Sequence, residues 1–149
     1  MNSPARIRLL IATLWAGSQW TVGYLVAPTL FVTLSDRVLA GSIAGAMFHR
    51  QAWLAIVCGL LLLGLLSAAK QIDAKRRRLL LVTVLLMLLC TLISHFGLQP
   101  LMADLRAAAG PGGVMESAAK SRFGMLHGIS SVIYLLQSLL AGLLIWKLQ

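Results

Sequence analysis

A short basic run, Lys70–Arg78 (KQIDAKRRR), sits at mid-chain between two apolar runs, each long enough to cross a bilayer. No other feature constrains the fold as tightly. Apolar segments of about 20 residues on both sides must bury themselves in hydrocarbon. The cluster between them cannot follow, because an ionised side chain at the bilayer centre is costly. The chain therefore turns here, with the turn held at one membrane surface.

Composition agrees. Of 149 residues, 59% are hydrophobic and 11% charged, and the mean hydropathy is +0.88. Soluble domains are about half apolar and about a quarter charged. The length allows one domain, residues 1–149. A net charge of +9 raises the question of nucleic acid. The charges lie between apolar runs and build no basic helix face, so nucleic acid is excluded and a membrane surface is the better partner. Cys58 and Cys90 both lie inside apolar runs, without CxxC or zinc spacing, and read as small packing residues. The basic start, MNSPARIRLLIATLWAG, has the look of a signal peptide. Its apolar run outlasts a usual h-region of roughly 7–15 residues and no A-x-A site follows, so it reads as a retained helix.

Four spans follow, at about 7–34, 51–69, 79–98 and 123–146. Pro28 should bend the first near its far end. Ser35 is the expected N-cap of the next helix, with Asp36 in its first turn. That helix carries Gly41, Gly45 and His49 on one face, where small residues permit close approach. The third span ends at Ser94, His95 and Gln99, before Pro100. A long connector, Leu101–Arg122, is broken at Gly110–Gly113 and flanked by two segments with the look of short surface helices. The fold class is all-α: an antiparallel four-helix bundle, integral to a membrane. Eight of the thirteen Lys and Arg residues fall at the N-terminus, central loop and C-terminus, and five in the other two connectors. The positive-inside rule then puts both termini and the basic loop in the cytoplasm.

This topology gathers His49, His95 and His127 at the outer side, with Met47, Met102, Met115 and Met125. Imidazole with thioether suits copper, and histidines on facing helices suit haem. The commoner role for interfacial histidines is a cap or an interhelical hydrogen bond, and both readings stand. Gln19, near mid-depth in the first span, either lines a site or bonds a neighbouring helix. In the fourth span His127, Ser130, Ser131, Tyr134, Gln137 and Ser138 form a stripe that should face inward, as a polar cavity or as glue. Met47-Phe48-His49 and Met125-Leu126-His127 hint at a two-plus-two repeat. No GxSxG, HExxH, P-loop or GxGxxG motif occurs, and the four acidic residues all lie in connectors, so no catalytic residue is assigned.

Several of these residues also form motifs. Trp15 through Gln19-Trp20, Gly23, Pro28 and Phe31 resemble the first span of the small four-span proteins similar to transmembrane protein 205. In bacteria that family is a domain of unknown function, number 4149. Leu98-Gln99-Pro100 resembles its leucine–x–proline motif, and Arg122-Phe123 with His127-Gly128-x-Ser130-Ser131 resembles its entry into span 4. The family pattern would have a charged residue at Gln99 and a longer outer connector. The resemblance implies four transmembrane helices in a bacterial cytoplasmic (inner) membrane, and no established reaction. It marks Gln99, Pro100, Arg122, His127, Gly128 and Ser130 as shared positions.

The expected function is binding of a small ligand, an ion or a partner in an outer polar pocket of His49, His95, Gln99, Arg122, His127 and Ser130, with Gln19 below. Alternatives are a haem or copper redox protein with His49, His95 and His127 as ligands, or a scaffold whose Gly41/Gly45 face docks another membrane protein or a second copy. The lipid bilayer, with anionic inner-leaflet lipids at Lys70–Arg78, is the expected partner.

Overall fold

The computed structural model describes residues 3–110 and 112–149. Met1, Asn2 and Pro111 lie outside the described residues, and with Pro111 part of the Gly110–Gly113 breaker. Among the described residues there are four long helices and no strand: α1 (Ser3–Thr33), α2 (Arg37–Ser67), α3 (Ala74–Ala107) and α4 (Lys120–Leu148). Each exceeds the roughly 20 residues that a hydrocarbon core of about 30 Å requires. Each packs against its neighbours in sequence, and α1 closes the ring against α4.

The interior mixes small, large apolar and a few polar side chains, and the exterior is large and apolar. Ala12, Trp15, Ala16, Cys58, Leu62, Val84, Met87, Ala141 and Leu144 form the centre of the core. Outside, Val132 is 69% exposed, Leu139 66% and Leu10 68%. Such continuous apolar cladding is not viable in water and matches a lipid environment. Gly59 lets α2 and α3 touch, since a Cβ there would strike the Leu88 side chain.

Helix starts follow capping chemistry. Asp36, rather than Ser35, caps α2: its carboxylate accepts from the N–H groups of Val38 and Leu39, both at 2.9 Å. Asp73 caps α3 through Lys75 and Arg76 N–H. Each cap satisfies donors that the first helical turn leaves orphaned.

The two proline-containing helices depart from the sequence expectation in the same way. α1 winds as a π-helix over Thr21–Val26, two residues before Pro28, and α3 does so over Ile93–Leu98, two residues before Pro100. Ala27 N–H reaches back to Val22 C=O and Gln99 N–H to Ser94 C=O, each five residues. Proline lacks an N–H and its ring collides with the carbonyl four residues earlier. One inserted residue relieves both problems without ending the helix. Span 3 therefore does not stop at Leu98, and the first surface helix of the expected connector is its continuation, Gln99–Ala107. Of the second expected surface helix only a 3₁₀ turn, Val114–Glu116, forms before α4 begins at Lys120.

Candidate functional site

At the end of the molecule opposite the basic loop, α2 and α3 bring two imidazoles together. His49 and His95 have ring centroids 4.8 Å apart, tilted by 56°. His49 is exposed and His95 is buried. Trp53, one turn along α2, donates its indole N–H to His49 Nε2 at 3.3 Å. An accepting Nε2 puts the proton of neutral His49 on Nδ1. Trp53 and Phe96 box the second ring, with centroids 5.8 and 4.6 Å from His95. His95 Nδ1 is buried without a hydrogen-bond partner among the described residues. It sits within the π turn of α3, a kind of turn common at functional sites.

The other expected site residues are not brought to this pair. His127 is exposed and stacks on Phe123 of its own helix, centroids 6.2 Å apart and planes within 5°. Arg122 is exposed, and Gln99 and Ser130 are half-buried. No three His, Cys, Asp or Glu side chains group as metal ligands among the described residues. Met102 is buried, whereas Met115 and Met125 are 59% and 61% exposed.

Gln19 belongs to a separate cluster between α1 and α4. Its Nε2 donates to Ser138 Oγ at 3.3 Å, and Tyr24 O–H donates to the same oxygen at 2.9 Å. Tyr134 O–H donates to the Gln19 carbonyl, where α1 changes from α to π winding. Gln137 Nε2 donates to Thr91 Oγ1 at 2.9 Å, joining α4 to α3. Gln19 Oε1 and Trp15 Nε1 are buried without partners among the described residues. Of the polar stripe on α4, Tyr134, Gln137 and Ser138 turn inward as bonded glue. His127 and Ser131 stay exposed, Ser131 back-bonding its own helix at His127 C=O, 2.8 Å.

The glycine face of α2 is occupied from within. Gly41 lies against Phe31, and Gly45 against the guanidinium of Arg106. Arg106 also sits over the Phe123 ring at 5.3 Å, a cation–π contact that ties the end of α3 to α4. Sequence reasoning passed over Trp53, Phe96 and Arg106, and named Phe123 only as part of a motif. The first two were findable, since Trp53 is four residues from His49 and Phe96 is next to His95. Arg106 was hidden in a segment read as connector.

Four membrane-length helices with an apolar exterior and a hydrogen-bonded polar interior define a four-span helical membrane protein. Residues 10–111 match the family model described as "Domain of unknown function (DUF4149)", and the chain belongs to that family. The match includes Gln19, His49, His95 and Gln99, and ends before Arg122, His127 and Ser130. No curated protein and no solved structure matches the chain.

Proposed function

We propose that the protein is a non-enzymatic integral protein of the bacterial cytoplasmic membrane that binds a small cation, a proton or a first-row metal ion, between His49 and His95 at its outer end. One observation carries this reading: two imidazoles 4.8 Å apart, the buried one with an unpartnered Nδ1. Imidazoles this close share one cation more readily than they hold two. Two nitrogens on adjacent corners of a tetrahedral ion lie about 3.3 Å apart, for metal–nitrogen bonds near 2.0 Å. Rings spaced as these are can supply such a pair once His49 Nε2 exchanges the Trp53 N–H for the ion. Haem fits less well, because two imidazoles on opposite faces of one iron would hold their centroids roughly 6 Å apart.

The orientation belongs to the same proposal. The Lys and Arg bias supports both termini and the Lys70–Arg78 loop on the cytoplasmic side, against anionic lipid.

The test is NMR of ¹⁵N-histidine-labelled protein in detergent, titrated with acid and separately with Zn²⁺. The expected result is that His49 and His95 respond together, to either titrant, and that His49→Ala abolishes the response of His95 to Zn²⁺. Independent titration of the two rings, with no response to Zn²⁺, would overturn the reading.

A further inference from the structure

Arg8 is the one Lys or Arg among the described residues that is buried, at 5% exposed, and its Nε is enclosed with no hydrogen-bond partner among the described residues. It lies at the basic-loop end of the molecule, remote from the imidazole pair. Burying a guanidinium without a counter-charge is strongly unfavourable. The protein offers little to offset it. Of its four acids, Asp73 alone belongs to this end, and the Asp73 carboxylate is engaged in capping α3. Among the described residues, no side-chain carboxylate at this end is free to answer Arg8.

The space for a counter-charge is present. A cavity of ≈ 140 Å³ is bounded by Arg8, Arg76, Ile72, Leu80, Leu148 and Gln149. A liquid water occupies about 30 Å³, so this is room for an oxyanion and too little for a whole lipid. Arg76 forms one wall, held there by two hydrogen bonds to the Lys147 carbonyl, at 2.9 Å from Nε and 2.5 Å from Nη2. On its other side Arg76 lines an open groove of ≈ 700 Å³, together with Lys75, Arg78, Lys147, Leu79, Trp146 and the capping Asp73. The groove combines cations with an apolar floor. Trp146, 71% exposed, is the kind of residue that sits at headgroup level.

We infer that this end of the molecule is a seat for an anionic phospholipid. Its phosphate enters the small cavity between Arg8 and Arg76, and its glycerol and first acyl carbons lie in the groove along Leu79 and Trp146. A phosphate diester suits the pair: Arg8 offers its unpartnered Nε, and Arg76 offers Nη1, since its Nε and Nη2 are taken by the Lys147 carbonyl. The occupant is a lipid because the cavity opens beside a groove with apolar walls, which a free phosphate would leave empty.

The test uses the full chain in nanodiscs of phosphatidylglycerol or phosphatidylcholine, read by thermal unfolding. If Arg8 awaits a lipid phosphate, Arg8→Met raises the melting temperature in phosphatidylcholine, where it removes an unpaired charge. In phosphatidylglycerol the same change lowers it. Native mass spectrometry of detergent-purified protein should show retained phosphatidylglycerol, with binding weakened about tenfold in Arg76→Gln and unchanged in Arg122→Gln at the opposite end. Arg76 is exposed, so the second variant stays informative if the first fails to fold. The inference is overturned if Arg8→Met shifts stability equally in both lipids, or if Arg76→Gln retains lipid like the parent. It is also overturned if inorganic phosphate alone reproduces the stabilisation.

Discussion

At the scale of single residues, the interior is organised by a few close fits. Gly23 is glycine because Tyr134 fills the space a Cβ would take, and Tyr134 is held there by its bond to the Gln19 carbonyl. Gly23→Ala should therefore cost about 1–3 kcal/mol through forced displacement of the ring, read as a lower melting temperature in detergent. Gln19 makes a contrasting case. Its Nε2 is bonded but its Oε1 is not, so the amide is only half satisfied. Interhelical hydrogen bonds in membranes average about 0.6 kcal/mol, and Gln19→Leu should cost less than about 1 kcal/mol. A loss above about 2 kcal/mol would mean that Oε1 has a partner such as ordered water. The sequence singled out Gln19 because a mid-membrane amide demands an explanation. It could not name Tyr134 as the neighbour, because that pairing depends on how α1 and α4 rotate against each other.

At the scale of helices, the spans were legible and their ends were not. Apolar runs bounded by Ser35-Asp36-Arg37 and Lys70–Arg78 are strong signals, and α2 and α3 start within them. Pro100 misled the reading of α3, since proline more often ends a helix than rides on a π turn. Extending α3 to Ala107 is what delivers Arg106 to Gly45 and Phe123. Pro100→Ala removes the reason for the π turn. A return to regular winding would rotate everything beyond it by about 100° and withdraw Arg106 from its slot. The expected outcome is that Pro100→Ala and Arg106→Ala each lower the melting temperature and that the double variant is no worse than the poorer single, a non-additivity that marks one shared interaction. Losing the Asp36 cap is a local matter by comparison: Asp36→Ala should cost about 1 kcal/mol.

For the whole molecule, the proposed orientation rests on the distribution of Lys and Arg. Neutralising Lys75, Arg76, Arg77 and Arg78 changes the Lys and Arg distribution from eight against five to four against five. Reporter fusions at the C-terminus should then report mixed or inverted topology, where the parent reports the cytoplasm. Cys58 and Cys90 are free thiols, buried and half-buried within the spans. A membrane-impermeant maleimide should label neither from either side until the protein is denatured. The gathering of histidines at one end was inferred from topology alone, and topology sets depth but leaves azimuth open. That is why His49 and His95 meet while His127, at the same end, stacks on its own helix.

The paired π turns have a last consequence, for length. Each is a residue more than a regular helix needs at that point. A single-codon deletion inside Thr21–Val26 or Ile93–Leu98 can be absorbed in phase by rewinding one turn, at the cost of returning Pro28 or Pro100 to a regular helix. The same deletion at Leu62 or Val84 would carry a whole core face round to the lipid. α1 and α3 thus hold slack that α2 and α4 do not, and natural length variation in such chains should collect at those two points.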